Sequence, residues 1–193
     1  MILICYTTPA GGRDRMGQAA RTLGEARRRT RPEADVRVTP TPTREDFVRA
    51  LAGADPIEEL HLVSDGDADG PRFAGGEALS PEDWRALDIP FAPGAEAFFH
   101  AGRSARWFAP FFARTFGVPA SGYHWDAAFS VKPHRFWWMP PTHPPEAPLW
   151  RIACPGPQTH GVMGAFRRAA GQTLAEPLKR FDPTWPLPAE AAG

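Results

Sequence analysis

The chain is short of several things that would place it quickly. Two cysteines in 193 residues are too few for a disulfide scaffold, so stability has to come from a packed core. No apolar run approaches the length needed to cross a bilayer, which argues against a membrane partner. Charge of either sign is not in excess: Lys plus Arg and Asp plus Glu are 22 each, so no overall field favours nucleic acid. Met1 leads directly into Ile2-Leu3-Ile4-Cys5-Tyr6, without the basic stretch and cleavage site of a secretory signal. These absences together lead to the expectation of a soluble protein in a reducing cytoplasm, with Cys5 as an ordinary buried residue.

What is present suits one domain. Apolar residues make up 42% of the chain and charged residues 23%, enough to build a single core. Ile2 to Tyr6 is a continuous apolar run, as expected of a strand covered on both faces. From Asp14 to Arg29, Met16, Ala19, Ala20 and Leu23 share one helical face. Val36 to Val38 alternates as a short strand, and Thr43 with Asp46 forms a capping box ahead of Phe47, Val48 and Leu51. Ile57 to Val63 reads as a third strand, Ser80-Pro81 as the start of a short helix, and Ala95 to His100 as a fourth strand. Ala105, Phe108, Phe112 and Phe116 keep helical spacing up to Gly117, with Pro110 delaying or kinking that helix, and Val118 to Gly122 is a fifth strand.

Strands alternating with helices imply an α/β fold, three layers αβα, around a mostly parallel sheet of about five to six strands. Residues 123–193 follow as a Pro-rich and aromatic extension packed on a core formed by residues 1–122. Within it, Ile152 to Gly156 suggests a further strand, Gly161 to Ala170 a last helix, and the tail from Asp182 frays or wraps the surface.

Ligands of open parallel sheets collect at the carboxyl ends of strands. Two such ends stand out, His61-Leu-Val-Ser-Asp65-Gly66 and Ala97-Phe-Phe-His100-Ala101-Gly102-Arg103-Ser104. A strand ending Ser-x-Gly, and the next ending Ala-x-Arg-Ser before a helix, resembles the caspase-like fold of cysteine peptidases. The resemblance implies a base at the end of the third strand and a thiol at the end of the fourth. Asp65 and Gly102 stand at those positions, and a glycine offers no nucleophile. The resemblance therefore implies a catalytically degenerate member that binds a protein or peptide, with Gly66, Arg103, Ser104 and Gly122 around the ligand. An acidic ligand would also find the N-terminus of the helix that follows.

Other constellations compete. A hydrolase with a noncanonical site could draw on Asp65, His100, Ser104, Cys154 and His160, the last two lying in Cys-Pro-Gly-Pro-Gln-Thr-His. Asp65, Asp67 and Asp69 match the opening of a calcium loop, although position 12 is Gly76 rather than an acid and Glu77 falls one place late. No other cofactor is expected. Thr7 to Arg13 lacks the glycine or Lys-Ser/Thr pattern of a phosphate loop, and His124, His134 and His143 lack zinc-ligand spacing. Phe136-Trp137-Trp138-Met139, rigid and amphipathic between prolines, would serve as an interface if exposed. Oligomeric state is not legible from these features.

Overall fold

A computed structural model describes residues 1–7, 14–130, 151–153, 161–170 and 177–185. Ten strands and five α-helices are described: β1 (Ile2–Tyr6), α1 (Arg15–Thr30), β2 (Val36–Pro40), α2 (Arg44–Ala52), β3 (Ile57–Val63), β4 (Asp65–Asp67), β5 (Gly70–Arg72), α3 (Pro81–Arg85), β6 (Phe91–His100), α4 (Phe108–Phe116), β7 (Ala120–Gly122), β8 (Ala128–Ser130), β9 (Arg151–Ala153), α5 (Gly161–Ala169) and β10 (Lys179–Phe181). Six of the strands form the central sheet in the order β10-β7-β6-β3-β1-β2, and two pairs, β4-β5 and β8-β9, stand apart from it. All neighbours in the central sheet are parallel except β10, which runs antiparallel to β7.

The unbroken apolar run of β1 follows from its central place. Ile2, Ile4 and Tyr6 pack into a cluster with Met16, Ala19 and Ala20 of α1, while Leu3 and Cys5 belong to the opposite cluster with α2, α3 and α4. With side chains alternating across a strand and both faces covered, every residue of β1 is buried. The result is the three-layer αβα arrangement that alternating elements imply. The larger cluster is aromatic: Trp84 of α3 meets Phe47, Phe108 and Phe112 at centroid distances of 5.6, 5.0 and 5.8 Å.

Local signals position the helices. Thr43 Oγ1 accepts from the Asp46 amide while Asp46 reaches back to the Thr43 amide, and Ser80 with Asp83 repeats this reciprocal cap, aided by Pro81 at the first helical position. Asp14 caps α1 through the Gly17 amide at 3.0 Å. Pro110 does delay α4: the helix begins at Phe108, placing the proline in the first turn where its missing N–H costs no helical bond. Gly117 closes α4 in the left-handed region at φ 67°.

Two features depart from the expected layout. Residues 65–72, read from the sequence without strands, form an antiparallel hairpin of β4 and β5. Residues 179–181 complete the main sheet as β10, so the C-terminal extension supplies an edge strand instead of only packing on a finished core. Arg180 of β10 is paired with Glu96 of β6 and with Asp182.

Candidate functional site at the carboxyl end of the sheet

The parallel register of β3 and β6 places Val63 beside His100, so both chains leave the sheet at the same corner. The Ser64 amide donates to the His100 carbonyl at 3.3 Å, and β4 then turns the chain into the hairpin. Only glycine fits at position 66, since a Cβ there would lie 2.7 Å from the Gly70 oxygen and 2.9 Å from Ala101 Cβ. Gly70, at φ 122°, lies against the Phe108 ring. After β6 the chain passes through Ala101-Gly102 to Arg103, the only described non-glycine residue with positive φ, at 57°. Asp65-Gly66 and Gly102-Arg103 are thus neighbours: a Cβ at Gly102 would stand 3.2 Å from the Gly66 oxygen.

A stretch of chain lies across this corner. The Ala105 amide donates to the Tyr123 carbonyl at 2.9 Å, the Arg103 amide to the Trp125 carbonyl at 3.1 Å, and Arg106 Nε to the His124 carbonyl at 3.0 Å. The Arg106 guanidinium also sits 4.7 Å from the Trp125 ring centroid, and Arg103 grips Asp126 through Nε–Oδ1 at 2.8 Å and Nη2–Oδ2 at 3.2 Å. The backbone at Asp126 and Ala127 therefore roofs Gly102, 3.3 and 3.4 Å from where a Cβ would be.

The remaining expected ligand contacts are used internally. Ser104 is fully buried; its hydroxyl faces the Ala101 and Phe99 carbonyls at 2.9 and 3.3 Å and accepts from the Tyr123 amide at 3.3 Å. It is a clip between β6, the turn and the strand end beyond β7. Gly122 does not line an opening: a Cβ there would meet Ser104 Oγ at 2.6 Å. The N-terminus of α4 is closed to an anion as well. Its Phe108 amide donates to the Ala68 carbonyl at 3.1 Å and its Ala109 amide to the Ser104 carbonyl at 2.8 Å, while Pro110 has no N–H.

His100 turns away from the Asp65-His100-Ser104 arrangement. Its Nε2 lies 3.1 Å from Nδ1 of His61, and His61 Nε2 lies 3.0 Å from Glu59 Oε2. Glu59 is ionised: the His61 hydrogen bond holds its carboxyl below the usual range, reinforced by the charges of Arg27 and Arg31. His61 Nε2–H therefore donates to Glu59, and in the neutral ring its Nδ1 accepts from His100 Nε2–H. Burial pushes the His61 imidazole toward this neutral form. Glu59 and His61 were not singled out from the sequence; the signal that could have found them is a carboxylate and an imidazole two apart on one face of β3, and their extension to His100 depends on strand pairing.

Asp65 is exposed, and partial desolvation raises its carboxyl above the ordinary value. Asp67 is occupied by Arg72 Nη2 at 2.6 Å and by the Asp69 amide at 3.0 Å. Among the described residues no three His, Cys, Asp or Glu side chains gather as a metal-ligand group. Cys5 is buried, and its thiol is pushed up to about 12 by that burial. Cys154, His160, His134, His143, Thr8 to Arg13 and Phe136 to Met139 lie outside the described residues.

No protein-family model matches the chain, and no curated protein matches it. Among the described residues no helix is long and apolar enough to cross a membrane.

Proposed function

We propose that this chain is a caspase-like domain that has lost peptidase chemistry and acts by binding a protein or peptide. The carrying observation is the roof over Gly102: the position where the resemblance expects a thiol has no side chain and lies under the backbone of Asp126 and Ala127. Ser104, the nearest hydroxyl in sequence, is held by main-chain groups. An exposed apolar stripe supports the binding half of the reading. Val162, Met163 and Phe166 share one side of α5 and are 73, 66 and 68% exposed, the kind of surface that protein contacts cover.

The chemical half is tested by incubating the native full chain with iodoacetamide and with a fluorophosphonate, followed by intact-mass measurement. No stoichiometric adduct is expected; rapid one-to-one labelling by either reagent overturns the degenerate assignment. The binding half is tested by selecting displayed peptides on the full chain and measuring them against Phe166→Glu. Selected peptides are expected to lose affinity for the variant, and unchanged affinity refutes α5 as the binding surface.

A further inference from the structure

Glu59, His61 and His100 form a continuous hydrogen-bonded line across β3 and β6. His61 and His100 are 1 and 6% exposed, and their rings lie nearly parallel and edge to edge, 5.4 Å between centroids. His61 also stacks on Phe98 at 4.6 Å. The line joins β3 to β6 on the α1 side of the sheet and ends one residue before Ala101-Gly102, where the ring of Tyr123 stands 6.3 Å from His100.

The contact has a proton limit. One nitrogen from each ring enters it, and a 3.1 Å separation holds one hydrogen between them. With both imidazoles neutral, His100 donates to His61. With one added proton, a single N–H can still bridge the rings. Two imidazolium rings would point N–H at N–H, and the contact fails.

The surroundings of His61 disfavour a proton on that ring. Facing the line are Glu59 on β3, Arg27 from α1, Arg31 just beyond that helix and itself also paired with Glu33 and Glu58, and Tyr123 from the roof. Glu59, the anion of this set, is already shared between Arg27 at 2.9 Å and Arg31 at 3.2 Å. The Arg27 guanidinium also lies 5.9 Å from the centre of the Phe98 ring on which His61 stacks. Burial, the largest effect, and the Arg27 charge oppose a proton on His61; the hydrogen bond and charge of Glu59 favour one and do not outweigh them.

We propose that the His61–His100 contact is a proton-sensitive fastener, which holds the carboxyl ends of β3 and β6 together at neutral pH and releases the roofed corner on acidification. The sign follows from proton counting. The unfolded chain takes up two protons at these rings as pH falls through about 6.5, whereas the folded contact has room for one at most. Stability contributed by the neutral pair is complete above that range and declines below it. This inference stands whether or not the corner is a former peptidase site.

The test is urea unfolding of the full chain at intervals from pH 7.5 to 5, compared with the His61→Gln/His100→Gln variant. The folding constant of the parent is expected to fall about tenfold per pH unit more steeply than that of the variant, for the one proton that the contact excludes. Parallel curves overturn the proposal. If the double variant does not fold, the imidazole carbon-bound protons of the parent are followed by NMR across the same range. Resistance of at least one ring to titration until the fold opens supports the fastener; titration of both near 6.5 within the intact fold overturns it. Hydrogen exchange supplies the local readout: the Arg103 and Ala105 amides, which bond to the roof, are expected to lose protection before those of β1. Simultaneous loss would refute release of the corner.

Discussion

Placing a cysteine at position 102 tests the roof most directly. Gly102 lies outside the positive-φ residues, so its backbone accepts an L side chain and the cost comes from space. The new Cβ would press on the Gly66 oxygen, Asp126 Cα and Ala127 nitrogen at 3.2, 3.3 and 3.4 Å, all main-chain atoms that cannot swing aside like a side-chain tip. Overpacking of this kind costs about 1–3 kcal/mol. Lower entropy of the unfolded chain offsets about 0.4–1 kcal/mol of it. A net loss of about 1–2 kcal/mol is expected for Gly102→Cys, which with an ordinary urea slope moves the midpoint down by about 0.5–1 M. The same variant, treated with iodoacetamide before unfolding and compared with the parent as baseline, should label slowly because the thiol is roofed. An unchanged or higher midpoint together with rapid labelling would refute the closed corner.

Ser104→Ala removes a buried hydroxyl that accepts from the Tyr123 amide and faces two carbonyls, so a loss of about 1–3 kcal/mol is expected by urea unfolding; no loss would mean the clip is not formed. Asp65→Asn should act oppositely. Because desolvation raises the folded-state carboxyl, ionised Asp65 works against the fold at neutral pH and this penalty fades as pH falls through its raised value. The variant is therefore expected to unfold at a higher urea concentration at pH 7 and to match the parent at pH 3. A lower midpoint at pH 7 would show that the carboxylate has a stabilising partner.

Short-range chemistry by itself determined much of this protein. The apolar run of β1, the face of α1, the reciprocal caps at Thr43 and Ser80 and the stop at Gly117 all depend on residues a few places apart, whose geometry the backbone sets locally. The juxtaposition of Asp65-Gly66 with Gly102-Arg103 was also readable, because parallel strands deliver their carboxyl ends to one edge. What those ends do was decided only by tertiary structure. Nothing local draws Asp126 onto Arg103, 23 residues away, or His61 onto His100 across 39. The three residues of β10 have little strand signal of their own and gain it by pairing with β7. Gly102 alone reads as a missing nucleophile; under Asp126 and Ala127 it is also a position that the fold has filled with main chain.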